Sequence, residues 1–399
     1  MLRKALGGIY MKLGVSVYPD LSSFEEIKAY LELAGKYGFT RVFSSMFSVE
    51  GTNEEIIDYF RNFIEEAHKN GMEVSLDVNP MFLKKMGVSY DDVSLFNDIH
   101  CDIIRMDMPF GKEKDLVLIQ NPYGIKIEFN ASMGISEELD YFVEHNVPKD
   151  RVLLGHNFYP QRYTGLKWNR FLETNKKLSK YGFVIDAFVS STAPGTHGVW
   201  DAVCGLPTVE KMRDLPIDLQ TRELLGTDNV DDVLIGNAYA SEEELKAMSE
   251  IVKCNRKIED SALYEIYKNW GITKTGEYKE KKIKVVPVEG LGEQERYNLF
   301  ELFPQSDFGD SSEWIWRSRS GRMIQKSIPV RKVEGDFFQP GDVVIVNDNY
   351  AHYAGEIQIV KMPIVNDGTR NLVGKLADHE MEMLELINDG DNVGFVEVK

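Results

Sequence analysis

One strand–helix pattern recurs eight times between Lys12 and Tyr239, and this repetition constrains the fold more than any other feature. Each unit has a short run rich in Val, Ile, Leu and Phe, then turn residues, then an amphipathic helical stretch. Apolar strands alternating with helices indicate a parallel sheet, and eight units in about 230 residues favour a closed (β/α)8 TIM barrel over an open doubly wound sheet. The predicted strands are KLGVSVYP (12–19), TRVFSSMF (40–47), EVSLDVNP (73–80), DIIRMDMP (102–109), IKIEFNAS (125–132), RVLLGHNF (151–158), FVIDAFVS (183–190) and DVLIGNAY (232–239).

The helices of this region carry recognisable start and stop signals. Three Ser/Thr-x-x-Glu boxes predict helix starts, because each pair of side chains satisfies the first free backbone amides. Gly38 and Gly71 predict helix ends just before the next strand. The sequence contains neither a GxGxxG nor a Walker pattern, so we predict no nucleotide cofactor. The three boxes are Ser23 with Glu26, Thr52 with Glu55 and Ser241 with Glu244.

The sequence changes in character near Gly271. Beyond it, short β-like runs such as KKIKVVPV, GDVVIVND, GEIQIVKMP and NVGFVEVK alternate with turn residues. This spacing predicts a small antiparallel β-barrel or sandwich. We therefore predict a barrel domain at 1–270 and a β domain at 271–399, packed firmly together because no low-complexity linker separates them.

Charge and cysteine content narrow the possible partners and the compartment. The chain has 64 acidic and 46 basic residues, a net charge of −18, which argues against general binding to nucleic acid or to an anionic membrane. Cys101, Cys204 and Cys254 form no CxxC pair, so they suit a reducing cytoplasm. We expect no signal peptide and no membrane span. The sequence makes no prediction of oligomeric state.

Charged and amide side chains interrupt the apolar strands near their carboxyl ends. In a (β/α)8 barrel these ends and the following loops form the active face. Residues two apart share one face of a strand, so three neighbouring strands are each predicted to point a carboxylate into the same mouth. The residues are Asp77 and Asn79, Arg105 and Asp107, Glu128 and Asn130, and His156 and Asn157.

Several chemistries fit this cluster. Crowded carboxyls raise one another's pKa, and glycosidic cleavage uses one protonated carboxyl as the acid and a second as nucleophile or base. The same oxygens could instead hold a divalent metal, with His156 added for a transition metal. The plainer interpretation is structural, with Arg105 paired to a neighbouring acid within the core.

Two other segments are candidates for binding an anionic sugar. The loop HNFYPQRYTGLKW (156–168) contains Tyr159, Arg162 and Tyr163, which suit sugar faces and phosphate or carboxylate groups but could equally pack the barrel rim. The segment WIWRSRSGR (314–322) places three arginines in the second domain, either as a solvated strand edge or as an anion site.

Strings spread over nearly the whole chain resemble the bacterial 6-phospho-N-acetylmuramidases (glycoside hydrolase family 170), formerly known only as outer surface proteins. The most specific is GHNFYPQRYTGL after the sixth strand. The others are SVYP, RVFSSMFS, RMDMPFG, IEFNAS and, in the second domain, YAGEIQI.

This resemblance implies a (β/α)8 barrel followed by a cyclophilin-like β-barrel domain. It also implies a cytoplasmic enzyme of cell-wall recycling. Such an enzyme splits the β-1,4 bond between N-acetylmuramic acid 6-phosphate and N-acetylglucosamine, without a cofactor.

We assign roles from chemistry as hypotheses. Glu128 and Asp107 are the leading catalytic pair, with Glu128 as general acid because no arginine shares its strand face, and Asp77 is the alternate. Two further hypotheses remain open: a metal-dependent sugar-phosphate isomerase or hydrolase, and a muropeptide-binding protein without activity. The predicted substrate-binding residues are Arg105, Asn79, Asn130, His156, Asn157, Tyr159, Arg162, Tyr163, Arg317 and Arg319; Arg162, Arg317 and Arg319 are the candidates for the phosphate and lactyl carboxylate.

Overall fold

Eight parallel strands close into a barrel in the computed structural model, which describes residues 11–46, 49–253, 256–271 and 275–398. Each strand pairs with the next, and β1 pairs with β8 to close the ring. All eight strands predicted from the sequence are confirmed, as is the TIM barrel. The strands are β1 (Leu13–Ser16), β2 (Arg41–Ser45), β3 (Glu73–Val78), β4 (Ile103–Met106), β5 (Lys126–Asn130), β6 (Val152–Gly155), β7 (Val184–Val189) and β8 (Asp232–Ile235).

Helices follow the strands and cover the outer surface of the barrel. The capping boxes at Ser23 and Thr52 both form, with the serine or threonine oxygen accepting the N3 amide and the glutamate accepting the N-cap amide. The helices of this part are α1 (Phe24–Lys36), α2 (Asn53–Lys69), α3 (Pro80–Lys85), α4 (Ser94–Asp98), α5 (Lys112–Ile119), α6 (Ser136–Glu144), α7 (Trp168–Leu178), α8 (Ile217–Gly226) and α9 (Glu242–Val252).

Helix α2 shows why these segments are helical and where they pack. Its buried residues Ile56, Phe60, Phe63 and Ile64 recur at helical spacing and lie in the main core with the outward-facing strand residues. After the helix, Gly71 takes a φ of +73°, which a glycine adopts without strain. The helix therefore ends there, and β3 begins two residues later.

The amino ends of the strands hold a closed ion cluster. Glu73, on β3, accepts from Lys12 at 2.5 Å and from Lys126 at 2.7 Å. Two cations thus flank one carboxylate, so Glu73 is paired within the protein.

A second set of strands forms a nearly closed mixed sheet. The strand order is β10-β17-β9-β16-β13-β14-β11, and the amide of Ser306 on one edge strand donates to Ser318 Oγ on the other at 3.2 Å. The small β-barrel is confirmed, although the pairing of β9 with β17 is parallel rather than antiparallel. The strands are β9 (Lys281–Pro287), β10 (Gln305–Ser306), β11 (Ile315–Ser318), β12 (Phe337–Phe338), β13 (Asp342–Val346), β14 (Ile357–Val360), β15 (Ile364–Val365), β16 (Arg370–Leu376) and β17 (Asn392–Glu397); the helices are α10 (Tyr264–Asn269), α11 (Glu293–Arg296), α12 (Ser320–Met323) and α13 (Glu380–Leu384).

The chain divides into two compact units, Met1–Val252 and Lys253–Lys399. Leu263 and Tyr267 pack against Leu302 of the second unit, so the helical stretch before residue 270 groups with the β domain. Within the described parts of the chain, no helix combines the length and apolarity needed to cross a bilayer. The prediction that no signal peptide is present concerns the N-terminus, and residues 1–10 lie outside the described residues. Cys254 also lies outside them.

Candidate active site

Strand register brings three of the predicted residues side by side at the barrel interior. Asp77 on β3 is the register partner of Arg105 on β4, which is in turn the partner of Glu128 on β5. Partners in a parallel sheet face the same side, so the three side chains point into the barrel together. The predicted convergence of charged residues from successive strands is what the structure shows.

Arg105 is the centre of this group. Its Nη1 donates to Asp77 Oδ1 at 2.7 Å, its Nη2 donates to Asn157 Oδ1, and its Nε lies 3.3 Å from Glu128 Oε1. The guanidinium carbon lies 5.8 Å from the ring centre of Phe43, within cation–π distance. Arg105 is buried and held on several sides, so it presents a fixed positive charge at the mouth.

Glu128 lies deeper than its predicted role requires. Its Oε2 accepts from Arg41 and, at 3.2 Å, from Ser75 Oγ, and the residue is 1% exposed. The sequence argument favoured Glu128 as the acid because no arginine shares its strand face. No arginine lies on the strand face of Glu128, but Arg41 on β2 and Arg105 on β4 both reach it, so that criterion does not set Glu128 apart; its catalytic role stays a prediction.

Arg41 and its partners are functional candidates that the sequence analysis missed. Arg41 is almost fully buried on β2, with Nη1 3.0 Å from Asp186 Oδ2 and 3.9 Å from Asp232 Oδ2. Burial raises the pKa of Asp232 to about 6, against the opposing effect of Arg41. Asp186 lies inside the apolar strand β7, which is the same signal that identified Arg105, whereas Arg41 and Asp232 are the first residues of β2 and β8.

Asp77 and Asp107 are more exposed than Glu128, since Asp77 is 9% exposed and Asp107 is half-buried. Burial raises the pKa of Asp77; the Arg105 charge and hydrogen bond oppose this, and the neighbouring Asp107 adds to it. The backbone amide of Asp107 continues the ladder beyond β4 by donating to Val78 O at 3.0 Å. Its half-buried carboxylate has no hydrogen-bond partner among the residues described, so it remains available to a ligand.

His156 is placed inside the protein rather than at the mouth. It is fully buried, with Nδ1 3.1 Å from Ser132 Oγ and Nε2 2.8 Å from Asn175 Oδ1. Burial lowers its pKa to about 4. The neutral ring therefore donates to Asn175 and accepts from Ser132. Ser132 Oγ also accepts the amide of Asn157 at 3.0 Å, so His156 supports the residue that holds Arg105.

The two predicted asparagines at the strand ends bond to their own loops. Asn79 caps α3 by accepting the amide of Phe82 at 2.8 Å, and Asn130 accepts the amide of Ser132 at 2.9 Å. Both fix the backbone as it leaves a strand. A substrate contact from either side chain stays a prediction.

The loop after β6 is organised by a glutamate and an arginine that were not predicted. Glu210 accepts the amides of Tyr163 at 2.7 Å and Gly165 at 2.8 Å, and buried Arg213 holds Glu210 at 2.6 Å. The hydrogen bond from Arg213 is the largest cause that lowers the pKa of Glu210 to about 2. Tyr163, 86% exposed, is thus presented outward on a fixed backbone.

Two other predicted residues of this loop have different surroundings. Arg162 donates to both oxygens of exposed Asp214, at 2.6 and 2.8 Å, in a solvated surface pair. The half-buried Tyr159 attaches through its amide to Pro207 O at 3.2 Å. Neither residue is drawn into the Arg105 cluster by any contact in the described chain.

An aromatic cluster forms one wall beside Arg105. Phe43, Phe158 and Phe188 pack edge to face, with ring centres 5.2 to 5.8 Å apart. This apolar surface lowers the local dielectric constant and therefore strengthens the electrostatic interactions of the charged groups that face it.

Arg317 and Arg319 lie in the second unit and are paired there. Arg317 donates to the fully buried Glu356 at 2.7 Å, and Arg319 pairs with Asp310. Arg322 also reaches Glu356, at 3.3 Å. The three arginines cluster as the sequence suggested. Their role in binding an anion stays a prediction.

Metal ligation was the alternative use of the acidic cluster. Across the described ranges, no group of three or more His, Cys, Asp and Glu side chains has an arrangement that could hold a metal ion.

Comparisons with known proteins agree with the two-unit fold. A family model described as 6-phospho-N-acetylmuramidase, N-terminal, matches residues 13–250, and one described as 6-phospho-N-acetylmuramidase, C-terminal, matches residues 282–396. No protein of curated function matches the chain.

Two solved structures are similar over almost the full length. One is an uncharacterized protein of Bacillus cereus, 32% identical, with a TM-score of 0.81 over 98% of this chain and 100% of that one. The other is a conserved protein of unknown function from Enterococcus faecalis, 22% identical, with a TM-score of 0.64 over 97% and 96%.

Proposed function

This chain belongs to the 6-phospho-N-acetylmuramidase family, and from that membership we propose the reaction it catalyses. It hydrolyses the β-1,4 bond of a disaccharide in which N-acetylmuramic acid 6-phosphate is linked to N-acetylglucosamine. The substrate is a small cytoplasmic product of cell-wall breakdown, so the enzyme serves peptidoglycan recycling. The observation that carries the proposal is the match of both units to the two family models, together with crowded carboxyls at the barrel mouth.

Asp77 is the carboxyl best suited to donate a proton to the leaving oxygen. Burial and the neighbouring Asp107 charge both raise its pKa, which keeps a proton on it closer to neutral pH. Arg105 limits that rise and holds one carboxyl oxygen at 2.7 Å, which orients the group. The other oxygen remains free to face the glycosidic bond.

Asp107 is the second carboxyl of the proposed pair. Its side chain is half-buried and near Asp77, and its carboxylate has no hydrogen-bond partner within the described chain. Such a carboxylate can attack the anomeric carbon or activate a water molecule, as glycoside hydrolysis requires. Glu128, the other candidate, is enclosed by two arginines, so the geometry favours Asp77 over Glu128 as its partner.

Substitution of the two mouth carboxyls tests the proposal. The full chain is incubated with the phosphorylated disaccharide, and the released sugars are quantified by mass spectrometry. Asp77→Asn and Asp107→Asn are each expected to lower kcat by about a thousandfold or more, since general acid catalysis and the attacking group each contribute on that order. Asp58→Asn, an exposed aspartate on α2, is the matched control and keeps full activity.

The contrary outcomes are distinct. Full activity in both mouth variants would remove these carboxyls from the chemistry. Tight binding of the disaccharide by the unaltered chain without any product would refute hydrolysis and favour a sensor.

A further inference from the structure

The second unit contains a cavity of about 780 Å³ that the barrel chemistry does not use. Its size lies within the range of pockets that hold small organic ligands, about 300–1,000 Å³. Its lining comes entirely from residues between 270 and 354. Three cations line it, Arg319, Arg322 and Lys326, together with the aromatic rings of Trp270 and Phe308.

The arginine side of this cavity is rigidly built. Glu356 is fully buried and accepts from both Arg317, at 2.7 Å, and Arg322, at 3.3 Å. The guanidinium of Arg322 also lies 4.1 Å from the ring centre of Tyr353. One buried carboxylate and one ring thus fix the direction of Arg322 before any ligand arrives.

The backbone beneath Arg322 is equally constrained. A Cβ added at Gly321 would lie 1.8 Å from Gly355 O, so the two segments pack at a distance that only glycine allows. Asn298 Nδ2 donates to the same carbonyl at 3.1 Å. These contacts tie helix α12 to the segment that carries Tyr353.

The charge of this cluster is not balanced internally. Arg317 and Arg322 share Glu356, and Arg319 pairs with Asp310. Lys326 has no ion pair or hydrogen bond in the described part of the chain.

Among the described residues that line the cavity, the one acid is Asp348, and it is already hydrogen-bonded. It accepts from Ser327 Oγ at 2.6 Å and from the amide of Ile328 at 2.9 Å. The cavity therefore presents an unpaired ammonium group beside fixed guanidinium groups.

These features define the ligand by its chemistry. Guanidinium and ammonium groups together suit a phosphate, and a flat ring beside them suits the apolar face of a sugar. The net charge of −18 opposes large polyanions, so the anion must be small. We propose that this cavity binds a phosphorylated sugar, with Lys326 and Arg319 on the phosphate and Trp270 against the sugar ring.

The proposal rests on the proposed function, because it assigns the phosphorylated muramic acid of that reaction as the ligand. The test is isothermal titration calorimetry of the full chain with N-acetylmuramic acid 6-phosphate, unphosphorylated N-acetylmuramic acid and inorganic phosphate. Lys326→Gln and Arg319→Gln are each expected to raise the Kd for the phosphorylated sugar about tenfold or more, through the lost charge-assisted hydrogen bonds. Trp270→Ala is expected to weaken the binding of the phosphorylated sugar but to leave the affinity for inorganic phosphate unchanged.

Lys332→Gln is the matched control, because it removes the same charge from an exposed surface pair outside the cavity. Its Kd is expected to stay within about twofold of the unaltered chain. An equal loss of affinity in Lys332→Gln and Lys326→Gln would overturn the site in favour of general electrostatic attraction. Equal binding of the phosphorylated and unphosphorylated sugars would overturn it as well.

Hydrolysis of the disaccharide is measured on the same preparations, so that the two proposals fail separately. Binding that depends on Lys326 in a chain without hydrolysis would refute the proposed function and retain the cavity as a phosphosugar site. Hydrolysis without any Lys326-dependent binding would refute the cavity and retain the function.

Discussion

Substitution of Glu128 by glutamine separates a structural carboxylate from a catalytic one. Oε2 of Glu128 accepts from Arg41 and Ser75, and its Oε1 forms an ion pair with Nε of Arg105 at 3.3 Å. Glutamine has nearly the same shape but no charge, and the amide nitrogen that replaces one carboxylate oxygen can only donate. One arginine would then face a donor in a site from which water is excluded.

The expected loss of stability follows from that burial. Removing one partner of a buried ion pair costs about 3–5 kcal/mol, because the remaining charge is left uncompensated. In the variant, Arg41 keeps its ion pair with Asp186 at 3.0 Å, and Arg105 keeps its ion pair with Asp77 at 2.7 Å. We therefore expect a loss at the lower end of that range, about 3 kcal/mol. For a domain of this size that corresponds to a fall in Tm of about 6–12 °C.

Differential scanning calorimetry and urea unfolding of the full chain measure this change, with Asp107→Asn as the comparison. Asp107→Asn removes a half-buried carboxylate without a partner, so its stability should stay within about 0.5 kcal/mol while its turnover falls. Glu128→Gln is expected to behave oppositely, with a large loss of stability and a kcat that falls less than that of Asp107→Asn. Unchanged stability with abolished turnover in Glu128→Gln would falsify this reasoning and restore Glu128 as the acid.

Three further variants test the barrel interior. Gly155→Ala places a Cβ 2.1 Å from Glu128 Oε1, so we expect a loss of about 3 kcal/mol in urea unfolding, whereas the open, exposed Gly134→Ala is neutral; equal behaviour of the two would contradict the packing. Burial lowers the pKa of His156 to about 4 from 6.5, so the native state binds the proton less tightly than the unfolded chain and stability is lost as pH falls through this window. His156→Gln should remove about 3 kcal/mol from the change in unfolding free energy across this pH range. If the unfolding free energy changes with pH as steeply in the variant as in the unaltered chain, His156 is not its source. The pH dependence that Asp232 contributes has the opposite sign. Its pKa is raised from 3.8 to about 6, so its contribution to stability is present below pH 3.8 and is lost as pH rises through 6. Asp232→Asn should flatten that slope in urea titrations from pH 4 to 7, and a slope that persists would assign it to another group.

Local patterns in the sequence were sufficient for the secondary structure of the first unit. Strand and helix periodicities depend on near neighbours, and the boxes at Ser23 and Thr52 form within one turn. The parallel pairing of β9 with β17 was not predictable in this way. It joins residues 281–285 to residues 393–397, and no turn between them sets the pairing.

The candidate site was only partly predictable for a related reason. A charge inside an apolar strand is visible in the sequence, and it led correctly to the convergence of Asp77, Arg105 and Glu128. The same signal is present at Asp186, which was not selected, whereas Arg41 is the first residue of its strand. The pairing itself depends on side chains that cross the barrel interior, so looking only at the strand face of Glu128 did not reveal the arginines that reach it from β2 and β4.

The sequence by itself determined that eight strands alternate with helices and that charged side chains stand at their inner faces. Only the tertiary structure decided which carboxyl meets which arginine. Arg41 and Glu128 are 87 positions apart, and closure of the barrel brings them together where each side chain is only 1% exposed. In such a buried space a carboxylate is fixed by the cation that reaches it, and Asp107, which has no hydrogen-bond partner among the described residues, is the carboxyl that we propose for the substrate.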